Sequence, residues 1–318
     1  MSENKKQYLR KLSNENKVIA ALAIDQRGAI ESMITGLDTE TRTKKIIAFK
    51  KAVSENLTKY ASAILLDPIY GMAAIKVKDA NCGLLMSYEI TGYDHTEVGR
   101  LPRLITDLSV YRLKEIGVDA VKILLYYDVD EGDEINDQKK AFIERVGAEC
   151  KAYDLPFFLE IVSYDANIQD TKSKEYAKVK PHKVNDAIKD FSDEKYGIDV
   201  LKLEVPVNMK FVEGFGDEVV YSKEEAQKAF KEQSDLCKVP FIFLSAGVTN
   251  EMFIDTLHFA KGAGSKFNGV LCGRATWAGG VDEFLKSEQQ GIDWINSEGK
   301  QNIENLNRAL KETATPWE

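Results

Sequence analysis

The chain has 318 residues, of which 44% are hydrophobic and 30% are charged, with only 21 glycines and 7 prolines. This composition excludes a disordered or fibrous protein and is sufficient for a large buried core. The formal net charge of −8 argues against a general nucleic-acid or anionic-membrane surface, although a local basic pocket could still bind a small anion. No apolar run reaches the ~18 residues of a membrane-spanning helix.

The amino-terminal residues and the cysteines predict a cytoplasmic protein. The segment MSENKKQYLRKL is polar and has no apolar core, so we expect no secretory signal. The four cysteines are far apart and form no CxxC pair, which is usual in a reducing compartment. They are Cys82, Cys150, Cys237 and Cys272.

Eight short apolar runs alternate with amphipathic stretches along the chain. The runs are rich in Val, Ile, Leu and Phe and are too continuous to have one solvated face, which is typical of strands buried on both sides. They cover residues 18–23, 62–66, 83–87, 120–125, 157–162, 200–205, 241–244 and 269–272.

The stretches between the predicted strands have helical periodicity. Helices are predicted over 40–59, 103–116, 136–153, 183–196, 223–236, 250–262 and 281–297. Further helical segments are expected at about 3–14, as a lead-in, and after about 291, as an extension. The charged segment 165–183 has no strand pattern, so we expect an enlarged loop there after the fifth strand, a candidate lid.

Eight strand–helix units predict an α/β fold, a (β/α)8 TIM barrel formed as a single domain by residues 1–318. The alternative is a doubly wound open sheet. No glycine-rich fingerprint follows the first strand, which argues against that alternative.

Ionisable residues lie inside the predicted strands or at their ends. Lys122 belongs to strand four, Glu160 to strand five, and Lys202 and Glu204 to strand six, while Asp25 follows strand one. Because strand side chains alternate between faces, the four residues within strands are predicted to point into the barrel. A structural ion-pair network is one interpretation. Active sites of this fold form at the carboxyl ends of the strands, which favours a catalytic one.

Two lysines in one barrel interior point to a particular chemistry. Desolvation and a neighbouring ammonium lower the pKa of a lysine amine, and a neutral amine is the nucleophile that forms a Schiff base with a carbonyl. A carboxylate must then move protons. Alternation alone does not rank Glu160 above Glu204 for that task.

The ends of the last two predicted strands carry the features of a phosphate site. Strand seven is followed by Ser245 and Gly247, and strand eight by Gly273 and Arg274. Small residues expose backbone N–H groups and an arginine can bind phosphate in a bidentate way. Each signal is weak alone, but loops seven and eight are the usual phosphate position in this fold.

Other basic and polar residues have open roles. Gln26 and Arg27 follow Asp25 and are candidates for binding substrate, with loop architecture as the alternative for Arg27. Arg100 and Arg103 could reach a second phosphate, although solvated surface arginines are also common.

The three histidines do not predict a metal site. His95 and His182 fall in predicted loops and His258 in a predicted helix. No pair has the spacing of zinc ligands, so we expect neither a metal nor another cofactor.

Seven motifs spread over the chain resemble the class I tagatose 1,6-diphosphate aldolases of the tagatose 6-phosphate pathway, which degrades lactose in Gram-positive bacteria. The motifs are IDQRG, LLDPIYG, VKILLYY, FFLEIVSY, VLKLEVPV, FLSAGV and LCGRATWAG. The resemblance covers essentially the whole chain, and the motifs are specific in combination.

The resemblance implies a metal-independent lyase that cleaves tagatose 1,6-bisphosphate into glycerone phosphate and glyceraldehyde 3-phosphate, with relaxed C4 stereospecificity. It implies Lys202 as the Schiff-base lysine, Glu160 as the acid/base, and Lys122 and Asp25 as supporting catalytic residues. It also implies that the pair of strand ends with Ser245, Gly247, Gly273 and Arg274 holds a phosphate. The expected partner is a ketose bisphosphate. The sequence is compatible with a homo-oligomer.

Three alternatives are compatible with the sequence. The first is a sister aldolase for fructose 1,6-bisphosphate or a sulfonated ketose phosphate. The second is a sugar-phosphate sensor without turnover, and the third is a metal-dependent aldolase. A kinetic comparison of the tagatose and fructose epimers would identify the first alternative. A ligand that binds without turnover would identify the second, and inhibition by a chelator would identify the third.

Overall fold

The computed structural model describes residues 1–90 and 97–318. Eight parallel strands form a closed barrel in which each strand pairs with the next and the eighth pairs with the first. The strands are β1 (Ile19–Ala23), β2 (Ala63–Leu66), β3 (Gly83–Ser87), β4 (Ala120–Tyr127), β5 (Phe157–Ser163), β6 (Val200–Leu203), β7 (Phe241–Leu244) and β8 (Gly269–Cys272). The predicted (β/α)8 barrel is confirmed.

Helices surround the barrel and cover its amino-terminal end. They are α1 (Glu3–Lys11), α2 (Gly28–Met33), α3 (Thr39–Leu57), α4 (Met72–Ile75), α5 (Val110–Ile116), α6 (Asp133–Ala152), α7 (Lys174–Asp190), α8 (Lys223–Leu236), α9 (Asn250–Gly262), α10 (Arg274–Trp277), α11 (Gly279–Lys286), α12 (Glu288–Trp294) and α13 (Lys300–Thr313). A π-helical segment, Ile295–Gly299, joins α12 to α13. In the described part of the chain, no helix has both the length and the apolar character needed to cross a membrane.

The prediction of a loop over 165–183 is wrong in its second half. Helix α7 begins at Lys174, where the Ser173 side chain caps it by accepting a hydrogen bond from the N–H of Tyr176. The predicted helix 183–196 is the second half of α7, and it ends at Asp190. Pro181 lies inside the helix and removes one backbone donor, yet the helix continues through it to Asp190. His182 is therefore helical.

Two other predicted helices have different bounds. The stretch 103–116 becomes helical only at Val110, because Leu104 pairs with Glu89 in an isolated antiparallel bridge. The stretch 281–297 is interrupted at Ser287, an extended residue that ends α11 and caps α12 by accepting from the N–H of Gln290. Local capping and a tertiary bridge thus set these bounds.

The apolar core has two layers. The larger lies between the strands and the outer helices. The smaller fills the barrel interior, where Ile19, Ala21 and other alternating strand residues meet Leu9 and Leu12 from the α1 region. Both leucines are fully buried, and each such burial contributes about 1.5–3 kcal/mol. The amino-terminal end of the barrel is therefore filled, and polar residues collect at the carboxyl end.

Candidate active site

The polar residues at the carboxyl end of the barrel follow from strand alternation. Each of three charged residues comes two positions after an apolar residue of the barrel interior. The pairs are Ala120 and Lys122, Phe158 and Glu160, and Val200 and Lys202. Glu160 and Lys202 are also direct register partners on neighbouring strands. The three predicted side chains therefore meet in one layer above the core.

One carboxylate bridges the two lysines. Glu160 Oε1 lies 2.7 Å from Lys202 Nζ, and Glu160 Oε2 lies 2.9 Å from Lys122 Nζ. Lys122 Nζ also lies 2.8 Å from Asp25 Oδ2 and 3.0 Å from Glu89 Oε1. All five residues are buried. Together they form a compact group of two cations and three anions, here called the charge cluster.

The charges in this cluster stabilise each other against burial. Burial alone would raise the pKa of Glu160, but the ammonium groups of Lys122 and Lys202 hold it below its usual value. Burial would also raise the pKa of Asp25, but the positive charges of Lys122, Lys202 and Arg27 lower it below its usual value. Conversely, although burial would lower it, the pKa of Lys122 is raised by the carboxylates of Asp25, Glu160 and Glu89.

The two lysines are consequently not equivalent. Lys122 contacts three carboxylates and is held as an ammonium ion. Among the described residues, Lys202 forms an ion pair only with Glu160. An amine becomes a nucleophile only after losing its proton, and Lys202 has a carboxylate placed to accept it. The geometry thus favours Lys202 over Lys122 as the nucleophile.

Glu89 belongs to the charge cluster. From the sequence, the strand end Ser87-Tyr88-Glu89 is a candidate for substrate contact or for loop architecture, with no catalytic role assigned to it. The Glu89 side chain continues the inward alternation of Leu85 and Ser87 on β3, a signal that was present in the sequence. Arg27 donates a hydrogen bond of 2.8 Å to the Glu89 carbonyl and lies 3.3 Å from its carboxylate. Arg27, which is buried, therefore lies against Glu89 of the charge cluster.

Glu204 has partners of its own. The N–H and the hydroxyl of Ser163 both donate to Glu204 Oε2 at 2.7 Å, and Lys180 Nζ lies 3.4 Å from Oε1. Tyr176 in turn donates to the Ser163 hydroxyl at 2.7 Å. These contacts hold the Glu204 carboxylate toward α7, whereas Glu160 contacts Lys202. The two carboxylates, which strand alternation does not distinguish, therefore have different partners.

The ends of β7 and β8 come together as predicted. Ala246 and Gly247 have φ values of +49° and +75°, a tight left-handed turn directly after Ser245. A Cβ atom at Gly247 would lie 3.1 Å from Cζ of Arg274, so the guanidinium packs against a bare backbone. Arg274 is exposed, and in the described chain it forms no ion pair. An accessible, unneutralised arginine beside a small-residue turn is suited to an oxyanion.

Gln26 connects the cradle to β1. A Cβ atom at Gly273 would lie 3.0 Å from Gln26 Nε2 and 3.0 Å from the Ala23 carbonyl. The side-chain oxygen of Gln26 is buried without a partner among the described residues. Gln26 thus lies at the cradle, whereas Asp25 belongs to the charge cluster and Arg27 contacts Glu89 of that cluster.

A buried lysine of α3 fixes the loop that carries these residues. Lys50 contacts the carboxylate of Asp67 and donates a 2.8 Å hydrogen bond to the backbone carbonyl of Gln26. Burial lowers the pKa of Lys50, and Asp67 opposes this effect. Sequence reasoning missed Lys50 because it lies in a helix whose other buried positions are mostly apolar or small.

The histidines lie away from the charge cluster where they are described. His182, on α7, lies between Asp130 and Asp186, and His258 is exposed on α9. His95 lies outside the described residues. Within 1–90 and 97–318, no group of three or more His, Cys, Asp or Glu side chains is arranged to hold a metal ion.

Comparisons with known proteins agree with this geometry. The family model described as DeoC/LacD family aldolase matches residues 19–279. This chain belongs to that family, and it is an aldolase. It is 58% identical over its full length to tagatose 1,6-diphosphate aldolase 2 of Enterococcus faecalis, covering 96% of that protein. It is 55% identical over its full length to tagatose 1,6-diphosphate aldolase 1 of Streptococcus mutans, covering 98% of it.

Solved structures share the fold at low sequence identity. A fructose-bisphosphate aldolase of Plasmodium falciparum superposes with a TM-score of 0.69 at 15% identity, covering 98% of this chain and 95% of that one. An archaeal fructose 1,6-bisphosphate aldolase superposes with a TM-score of 0.59 at 16% identity, and the match covers 98% of this chain and 100% of that one. At this identity the likeness supports the barrel alone.

Proposed function

We propose that this aldolase is a metal-independent class I enzyme that cleaves D-tagatose 1,6-bisphosphate into glycerone phosphate and D-glyceraldehyde 3-phosphate through a Schiff base on Lys202. The observation that carries the mechanism is the 2.7 Å contact between Lys202 Nζ and Glu160, next to a second lysine held as an ammonium ion. The names of relatives at 53–58% identity support the substrate.

In the first half of the reaction, Lys202 gives a proton to Glu160 and its amine attacks the C2 carbonyl. The new N–C bond gives an adduct with a positive nitrogen and a negative oxygen, and the Lys122 ammonium stabilises that oxygen. The nitrogen loses a proton and the oxygen gains it, which makes the neutral carbinolamine. Glu160 then returns its proton to the carbinolamine hydroxyl, which leaves as water. The product is an iminium ion on Lys202.

The iminium ion is the electron sink for cleavage. Asp25, whose Oδ1 is buried and unpaired among the described residues, accepts the proton of the C4 hydroxyl. The C3–C4 bond breaks, its electron pair passes into the iminium as an enamine, and the aldehyde departs. Protonation of the enamine at C3 and hydrolysis of the resulting iminium release glycerone phosphate and regenerate Lys202.

The phosphate next to the carbonyl is placed at the cradle of Ser245, Gly247, Gly273 and Arg274. This cradle begins directly after β7, the strand beside β6 and its Lys202. Gln26 orients the substrate at the same edge. The C4 configuration is expected to matter little, so fructose 1,6-bisphosphate should also be cleaved. The ratio of kcat/KM for the two epimers measures this.

The proposed mechanism uses no cofactor, and the proposed substrate is a phosphorylated sugar, which does not cross a bilayer unaided. We therefore place the reaction in the cytoplasm. The four cysteines are free thiols, which is compatible with a reducing compartment. Turnover unaffected by a chelator is expected, and chelator-sensitive turnover would contradict the metal-independent mechanism.

Borohydride trapping tests the mechanism directly. Reduction in the presence of glycerone phosphate should leave a stable adduct on the peptide that contains Lys202, detected by mass spectrometry. The Lys202→Met variant should fold, form no adduct and lose turnover. An adduct on Lys122, or none in folded wild-type protein that binds the ligand, would overturn the Schiff-base assignment.

A further inference from the structure

We infer that Arg100, packed on the rings of Tyr164 and Tyr126 at the mouth of the barrel, binds the second phosphate of the substrate, the one on C6. This inference rests on the proposed function, since only a substrate with an anion at each end needs a second site. It names the group that would select a ketose bisphosphate over shorter phosphorylated ketones.

Tyr126 lines the open space above the charge cluster. Along β4, Leu124 and Tyr126 are partly exposed, whereas the alternate residues Leu125 and Tyr127 are buried. Leu124 and Tyr126 therefore share the inward face of Lys122, at the end of the barrel that is partly open to solvent. Burial, followed by the carboxylate of Glu160, raises the pKa of Tyr126.

Arg100 is held against this wall by aromatic rings. Its Cζ lies 4.0 Å from the centroid of the Tyr164 ring and 5.7 Å from that of Tyr126. A guanidinium stacked on rings keeps its N–H edges available for a bidentate oxyanion contact. The stacking thus fixes the orientation of the cation without using its hydrogen-bond donors.

The backbone at Arg100 is also held in an unusual conformation. Arg100 has φ +43°, a value that is uncommon for a residue with a Cβ atom, and follows Gly99 with φ +81°. The N–H of Gly99 donates to Glu131 Oε1 at 3.1 Å. Strained residues of this kind persist where the surroundings fix them, often at binding sites.

The positive charge of Arg100 is not neutralised by the described residues. The nearby Glu131 carboxylate is already bound by Lys139 at 3.0 Å and by the hydroxyl of Tyr164. In contrast, Arg103 is exposed and lies 3.0 Å from Glu97 in an ion pair. Of the two arginines that the sequence left open, Arg100 is therefore the one available to an anion.

The topology puts the two phosphate positions across the barrel mouth. Strand β4, which carries Tyr126, and strand β8, which leads to Arg274, are four strands apart in a ring of eight. Lys202 on β6 lies midway between them along the ring. A six-carbon bisphosphate with its C1 phosphate at Arg274 would pass Lys202 at C2 and extend toward Arg100 at C6.

The test compares two ligands that differ in their use of this position. Cleavage of tagatose 1,6-bisphosphate needs both phosphate positions, whereas the borohydride adduct with glycerone phosphate needs only the one near Lys202. Arg100→Gln should lower kcat/KM for the bisphosphate by about 10- to 100-fold, the loss of a charged hydrogen-bond donor, mainly through KM. The rate of adduct formation should stay within twofold of wild type.

Two further variants complete the design. Arg100→Lys keeps the charge and should retain more activity than Arg100→Gln. Arg103→Gln is the matched control, a neighbouring surface arginine, and should change neither reaction.

Two results would overturn the inference. One is unchanged bisphosphate cleavage in Arg100→Gln, and the other is an equal loss of cleavage and adduct formation, which would indicate a structural role. Failure of the proposed function is a separate result, because wild-type enzyme would then form no adduct at all.

Discussion

At the scale of single residues, the charge cluster assigns different roles to groups of the same type. Lys122 and Lys202 differ in the number of carboxylates around them, and Glu160 and Glu204 differ in whether they reach a lysine of the cluster. Such differences decide which group moves a proton. They depend on side-chain rotamers and neighbours, which strand alternation does not specify.

Removing the proposed proton carrier tests this ranking. Glu160→Gln keeps the size of the side chain but cannot accept the Lys202 proton, so we expect kcat to fall by about 10²- to 10⁴-fold, the usual contribution of general acid–base catalysis, with a smaller change in KM. Glu204→Gln is the matched variant and should lower kcat much less. Steady-state kinetics of both variants decide the issue, and a larger loss in Glu204→Gln would reverse the ranking.

At the scale of elements, helix α7 carries a titratable contact that should be visible in stability. His182 Nδ1 lies 2.6 Å from Asp186, and Nε2 lies 2.9 Å from Asp130. The contact with Asp130 raises the pKa of His182 above its usual value, burial opposes the shift, and Asp186 adds to it. Because the folded-state pKa is raised, the contribution is fully present below the unfolded pKa of about 6.5 and is lost as pH rises through the folded value.

His182→Gln should therefore lower the thermal midpoint at pH 5.5 and have a smaller effect at pH 9. The side chain is about half exposed, so the difference is expected to be a few tenths of a kcal/mol. Scanning calorimetry at both pH values measures it, with His258→Gln, an exposed histidine of α9, as the control. An equal effect at the two pH values would contradict the electrostatic explanation.

The elements also show how far the sequence predicts this fold. Continuous apolar runs identified all eight strands to within about two residues, because a strand buried on both faces leaves little ambiguity. The predicted bounds of α5 failed because a tertiary bridge at Leu104 delays the helix, and those of α7 failed because the helix begins at Lys174 and continues through Pro181. The inward direction of Glu89 could have been predicted by extending the alternation of β3. The packing of Arg100 on Tyr164 could not, because it joins segments far apart in sequence.

At the scale of the whole molecule, stability and chemistry are placed at opposite ends of the barrel. The amino-terminal end is filled by Leu9 and Leu12, and Trp317 packs against the same inner core and donates a 2.8 Å hydrogen bond to Ser13. Lys5 adds a buried ion pair with Asp199 at 2.7 Å. The carboxyl end holds the charge cluster and the cradle. In barrels of this kind, substitutions at the two ends should have separable effects.

Truncating Leu9, one of the residues that fill the amino-terminal end of the barrel, tests that separation. Leu9 is fully buried, so Leu9→Ala removes apolar contacts and leaves a cavity, with an expected loss of about 2–5 kcal/mol in the free energy of unfolding. At a temperature where the variant stays folded, kcat and KM should be unchanged, because the charge cluster lies above the inner core. Leu37→Ala, at an exposed leucine, should change neither property. Urea unfolding and steady-state kinetics on the same preparations make the comparison. A parallel loss of stability and kcat would show that the amino-terminal end of the barrel and the charge cluster are coupled.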